Sequence, residues 1–180
     1  MRKLIFLIAL ISVLGSFTAQ AETCTQDSLT LTHGDTGDFV YGNGAGCILR
    51  PIKDVWAALQ TESGMSFDGS SLDSSEQVTP PQGVLTTYQN SYSANGGIVS
   101  WQMDWHNMVK SGTAQNPQVV QVHYVKVSGT DFISYWEGDI LLRAQNSGAT
   151  LLTFTNKIHA AQTDENDAAA TIQQIYNKLK

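Results

Sequence analysis

Four consecutive runs decide the fold: GIVSWQMDWHNMV (Gly97–Val109), QVVQVHYVKV (Gln118–Val127), DFISYWEGDILLR (Asp131–Arg143) and ATLLTFTNKIHA (Ala149–Ala160). In the first, Val99, Trp101, Met103, Trp105 and Val109 alternate with Ser100, Gln102, Asp104, His106 and Met108. A period of two is that of a strand with one apolar face. The second run is rich in β-branched residues. The third puts Phe132, Trp136, Ile140 and Leu142 on one face, and the fourth does the same with Leu152, Phe154 and Ile158. Ser128-Gly129-Thr130 and Asn146-Ser147-Gly148 supply hairpin turns, and Gly112 and Pro117 bracket a longer loop.

Antiparallel pairing joins residues that point the same way. Placing Val109 opposite Gln118 brings Trp105 to Val122 and Met103 to Tyr124. Placing Lys126 opposite Phe132 brings Val122 to Trp136. Placing Leu142 opposite Leu152 brings Ile140 to Phe154 and Trp136 to Ile158. One continuous face then carries Trp101, Met103, Trp105, Val120, Val122, Tyr124, Trp136, Ile140, Phe154 and Ile158, with Ser134 and Asn156 as polar exceptions. It holds three of the four tryptophans and must be buried. Aromatics of this size either fill a core or line a cavity, and both readings stay open from the sequence.

Residues 1–21 read as a secretory leader. Arg2 and Lys3 precede the apolar run Leu4–Leu14, and Ala19-Gln20-Ala21 forms a small-x-small cleavage site. Cys24 follows Thr23, which is unlike a lipoprotein site. The expectation is an exported chain beginning at Glu22, periplasmic in a two-membrane bacterium, with no stable membrane insertion after cleavage. Losing Arg2 and Lys3 lowers Lys+Arg from 10 to 8 against 16 acids, so the net charge moves from −6 to −8. That balance argues against nucleic acid or an anionic membrane as an electrostatic partner. In an exported chain the only cysteines, Cys24 and Cys47, are expected to form a disulfide.

After the leader, residues 22–46 read as an irregular extension with short β-like pieces at Leu29–His33 and Phe39–Tyr41, and with Gly42–Gly46 as a mobile turn or bulge. Cys47–Arg50 reads as a short strand. Pro51 then opens a helix whose Ile52, Val55, Trp56 and Leu59 form one stripe. Ser63–Gln82, with six serines before Pro80-Pro81, reads as a long exposed connection, and Val84–Ser93 as a further strand. Asp164–Lys180 closes the chain as a helix with acids first and lysines last; Ala168, Ile172, Ile175 and Leu179 form its stripe, with Ala169 and Tyr176 beside it.

The junction LRPIKDVWAAL (Leu49–Leu59) resembles the P-x-x-x-V-W-x-x-L opening of the START-like, or Bet v 1-like, helix-grip superfamily, which includes polyketide cyclase-like and lipid-transfer proteins. YWEGDILL (Tyr135–Leu142) with GATL (Gly148–Leu151) resembles that superfamily's W-x-G-x-x-x-L … G-x-T-x-L strand pair. The resemblance covers Cys47 to Lys180. It implies an α+β fold, a curved antiparallel sheet wrapped around the C-terminal helix, with a short helix after the first strand. It also implies a cavity between sheet and helix for a lipid or other hydrophobic small molecule. The cavity face would comprise Trp101, Met103, Trp105, Val122, Tyr124, Ser134, Trp136, Ile140, Phe154, Asn156 and Ile158. The two cysteines, the Ser-rich loop and the short last helix depart from the pattern.

The motifs specify packing rather than chemistry. No Gly-x-Ser-x-Gly elbow, His-Glu-x-x-His or Cys–His nucleophile pair is present. Asp104 and His123 would be opposed, with His106 diagonal to them, on the solvent face; they read as a surface pair or as the beginning of a metal site. Glu137 and Asp139 share the outward face. Ser134, Asn156 and Tyr124 either satisfy one another inside the core or orient a ligand's polar end. The expectation is a binding domain with no cofactor, no metal and no catalytic residue. A cyclase- or hydrolase-like enzyme in the same cavity, and an interaction module with a vestigial cavity, are the alternatives.

Overall fold

A computed structural model describes residues 24–161 and 163–180; the expected leader lies outside them. The elements are β1 (Ser28–Asp35), β2 (Val40–Ile48), α1 (Ile52–Leu59), β3 (Ser71–Val78), β4 (Thr86–Ala94), β5 (Val99–Gly112), β6 (Pro117–Gly129), β7 (Ile133–Ala144), β8 (Thr150–Ala160) and α2 (Glu165–Leu179). One antiparallel sheet runs β1-β2-β8-β7-β6-β5-β4-β3. The fold is α+β and of helix-grip type. Its concave face carries the apolar set of every central strand and packs on α2 and α1.

Both helices follow their sequence patterns. Ile52, Val55, Trp56 and Leu59 are buried, and Pro51 occupies the N-cap. Asp164 caps α2: its side chain accepts from the backbone N–H of Asn166 at 2.8 Å, and Asp167 accepts from the N–H of Asp164 at 2.9 Å. At the other end the Arg50 guanidinium donates to the Leu179 carbonyl at 2.8 Å, which satisfies a carbonyl that the helix itself leaves open.

The amino-terminal region is not irregular. β1 and β2 form a hairpin, and β2 also pairs with β8 along its whole length, so α1 follows the second strand rather than the first. Gly42–Gly46 lies inside β2, not in a mobile turn. A Cβ on Gly42 would come within 2.8 Å of the Ala168 carbonyl, and one on Gly44 within 2.9 Å of Ile172 Cγ2. The glycines are there because α2 lies directly on the strand. The expected Cys24–Cys47 disulfide is present and buried, with Cα atoms 5.7 Å apart, and ties the chain before β1 to β2.

Part of the Ser-rich connection is also a strand. Ser71–Val78 forms β3, the far edge of the sheet, with a bulge at Leu72–Ser74. A polar, bulged edge strand has no apolar alternation to betray it and resists pairing with other chains.

The β7–β8 register is the expected one, with Trp136 opposite Ile158 and Ile140 opposite Phe154. The others differ by even steps. Trp105 faces Tyr124 rather than Val122, because bulges near Val109 and Gly112 lengthen the β5–β6 hairpin. Val122 faces Ile140 rather than Trp136. Even steps keep every residue on its face. One bulge does move residues: between Ile133 and Tyr135 of β7, Ser134 has no partner on β8. Ile133 is buried in place of the expected Phe132, which is exposed.

Candidate functional site: an aromatic interior sealed by a loop

β4 to β8 turn a wall of rings towards α2. Trp101, Met103, Trp105, Val122, Tyr124, Trp136, Ile140, Phe154, Asn156 and Ile158 are all buried on this face, as expected. Ser134 is not. It sits exposed at the bulge and donates to the His159 carbonyl at 3.1 Å. The wall gains Tyr92 from β4, which stacks on Trp101 with ring centroids 5.3 Å apart and planes 14° from parallel. Trp105 and Tyr124 stack at 4.8 Å. The Tyr124 ring lies over Gly138, where any Cβ would strike it; this gives the glycine of the Trp136-x-Gly138 motif its packing reason.

The space in front of the wall is filled by a loop. Residues 60–70, between α1 and β3, insert Met65 and Phe67. The Phe67 ring contacts Trp136 at 4.4 Å between centroids, Tyr92 at 5.3 Å, Trp105 at 5.9 Å and Tyr124 at 6.4 Å. Few polar bonds hold the segment. Tyr92 Oη donates to the Met65 carbonyl at 2.6 Å, and Lys178 Nζ donates to the Ser66 carbonyl at 2.8 Å. The backbone N–H of Asp68 donates to Gln174 at 3.2 Å, and Lys178 lies 3.6 Å from the Asp68 carboxylate. Met65 and Phe67 stand six and eight residues past the helix, and the serines around them made the whole segment read as an exposed connection.

Polar groups on the wall form two networks. Asn156 Oδ1 accepts from Tyr124 Oη and from Trp136 Nε1, each at 2.9 Å, and Asn156 Nδ2 donates to the Ala168 carbonyl at 3.1 Å. Asn156 and Tyr124 are thus committed within the protein. Burial and the Asp139 charge push the Tyr124 phenol well above its ordinary range, so it stays a neutral donor. In the second network Tyr92 Oη accepts from Trp105 Nε1 and Asn90 Nδ2, each at 3.0 Å, and Trp56 Nε1 donates to Asn107 Oδ1 at 2.9 Å. Desolvation pushes the Tyr92 phenol up to about 12. Trp101 Nε1 and Asn90 Oδ1 are buried without a protein partner among the described residues. Asn90 and Asn107 went unremarked in the sequence although both occupy apolar positions of their strands.

On the outer face Asp104 is opposite Val125, so it does not meet His123 as expected. His123 instead faces His106 on one side and Asp139 on the other. Two surface depressions of about 500 and 380 Å³ lie away from the aromatic wall, one beside the disulfide near Thr25 and Leu151, the other between Ile52, Pro117 and Ala149.

No family model and no curated protein matches the sequence. Solved structures share the fold. The human StarD13 lipid transfer and protein localization domain matches with a TM-score of 0.59 at 13% identity, over 88% of this chain and 87% of that one. Human STARD10 matches at 0.58 and 6% identity, over 87% and 71%. The Zhui aromatase/cyclase from Streptomyces sp. R1128 matches at 0.50 and 12% identity, over 83% and 92%. At such identities the likeness concerns the fold.

Proposed function

We propose, for a chain that has the helix-grip fold of the START/Bet v 1 superfamily, that it is an exported binding domain for an apolar or aromatic small molecule. The ligand is held against Trp101, Trp105, Trp136, Tyr92 and Tyr124, in the space that Phe67 fills in the free protein. The observation that carries this reading is the origin of the plug. The wall belongs to rigid strands, but what covers it comes from a loop held by a few polar bonds. A loop of this kind is drawn from the less stable part of a fold, and the ligand's own contacts with the wall replace those that the buried Phe67 ring gives up on leaving. The unpartnered Trp101 N–H and Asn90 carbonyl suit a ligand with one acceptor and one donor, or an ordered water. Export is supported by the leader pattern of residues 1–21 and by the disulfide.

A second reading is favoured by the close fit of Phe67 itself: an interaction module whose interior is simply a core. Native mass spectrometry of the untagged protein, purified from the exported fraction without detergent, separates the two. A discrete extra mass lost on denaturation supports the carrier. A bare protein, whose Phe67→Ala variant also fails to bind a fluorescent fatty acid or 1-anilinonaphthalene-8-sulfonate, supports the module and defeats the carrier.

A further inference from the structure

The outer face of the sheet carries a second cluster, separate from the aromatic interior. His106 of β5 and His123 of β6 are direct cross-strand partners. Their rings are 6.1 Å apart and within 9° of parallel. Each ring is tied through Nδ1 to the strand beyond it. His106 Nδ1 is 2.9 Å from Thr87 Oγ1 of β4, and His123 Nδ1 is 3.2 Å from Asp139 Oδ1 of β7. Gln121 donates to the same Asp139 oxygen at 2.7 Å. Gln89 orients Asp104, two residues before His106, at 3.0 Å. Glu137 lies next to Asp139 on this face and pairs with Lys157 of β8 at 3.4 Å.

We propose that this pair is a surface site for a divalent transition-metal ion, Cu²⁺ or Zn²⁺, ligated by Nε2 of His106 and Nε2 of His123 with solvent completing the coordination. With the proton on Nδ1, each ring offers its lone pair from Nε2. Metal-bound imidazoles generally have the other ring nitrogen tied to a carboxylate or other acceptor, and here both do, through Asp139 and Thr87. Asp104, Asp139 and Glu137 surround the pair with negative charge, which Lys157 offsets in part. Only the neutral imidazole has a lone pair to give, so protons compete with the ion for both rings.

A single ion at about 2.0–2.1 Å from both nitrogens needs the two Nε2 atoms roughly 3.3 Å apart. In the structure the rings stand parallel with centroids 6.1 Å apart, so the proposal requires them to tilt towards each other on binding, which both side chains, being only partly buried, have room to do. Among the described residues no three His, Cys, Asp or Glu side chains form a metal-holding group. A site with two protein ligands should therefore follow intrinsic imidazole preference, with Cu²⁺ ahead of Zn²⁺.

The test is calorimetric titration of the untagged protein with CuCl₂ and ZnCl₂. We expect one ion per chain, at least tenfold weaker binding in His106→Gln and in His123→Gln, no change in His33→Gln, and weaker binding at pH 5.5 than at pH 7.5. No binding by the unaltered protein, or unchanged affinity in both outer-face variants, overturns the site. So does loss in His33→Gln, which would move the ion to the His33–Glu165 pair. A readout that needs no variant guards against misfolding: substoichiometric Cu²⁺ should broaden the imidazole NMR signals of His106 and His123 before those of His33 and His159. The reverse order overturns the proposal.

Discussion

The ring of Phe67, carried by a loop, lies 4.4 Å centroid to centroid from the ring of Trp136, in the middle of the central sheet. Among the described residues no other aromatic pair in the interior is so close. The contact joins the part of the fold least constrained by backbone pairing to the part most constrained by it.

Removing that ring should be costly. Phe67 is buried among four aromatic side chains, so Phe67→Ala should destabilise the protein by about 3–5 kcal/mol, the usual range for a buried phenylalanine truncated without collapse. Urea denaturation followed by tryptophan fluorescence measures it. A loss below about 1 kcal/mol would mean that the loop does not rest on the wall in solution.

Asn156 joins β8 to two aromatic side chains and to the backbone of α2. Asn156→Ala leaves the Tyr124 hydroxyl, the Trp136 N–H and the Ala168 carbonyl short of these partners inside the core. At about 1–3 kcal/mol for each group left unsatisfied, partly relieved by water entering the space, a total of about 3 kcal/mol is expected. Hydrogen exchange should show the first turns of α2 losing protection before its last turn does.

The outer face makes stability depend on pH. The hydrogen bond to Asp139 raises the folded pKa of His123, and the His123 bond lowers that of Asp139. The His123 contribution is fully present below its unfolded value, about 6.5, and disappears as pH rises through the raised folded value. The Asp139 contribution is present above its unfolded value and is lost as pH falls through the lowered one. His106 acts against its partner: burial lowers its pKa, so its contribution is lost as pH falls below about 6.5. Comparing the unaltered protein with His123→Gln isolates the pair. Because both side chains are partly exposed, the difference should be about 0.5–1 kcal/mol near pH 5.5 and vanish near pH 9. A difference that grows with pH would refute the assignment.

What the sequence revealed, and what it concealed, follows from where each element gets its information. The stripes Ile52-Val55-Trp56-Leu59 and Ala168-Ile172-Ile175-Leu179 bury as their spacing implies, because an amphipathic helix writes its core face into its own period. The β7–β8 register was legible because the turn at Asn146–Gly148 is short and leaves little freedom. The β5–β6 register was not, because bulges add residues without disturbing local alternation. β2 was hidden because its glycines answer to α2, far along the chain, and not to their neighbours in sequence. The ten buried wall residues could be read as a set. Phe67 could not be read as their cover, since a loop's path over a sheet depends on tertiary contacts alone. Ser134 was misplaced by a single bulge.

The glycines of β2 have one more consequence. Where Gly42 and Gly44 meet α2, helix and strand touch with almost no side chain between them, so that flank of the grip has nothing to compress and nothing to slide on. α2 packs on β1, β2 and β8, while the opposite flank, towards β4 and β5, is closed by residues 60–70. The two jaws are therefore unequal: one is a fixed wall and the other a door. If the proposed ligand enters, the interior enlarges in one direction only, and the limit on its size is how far the loop of residues 60–70 can swing, not how far a helix can lift.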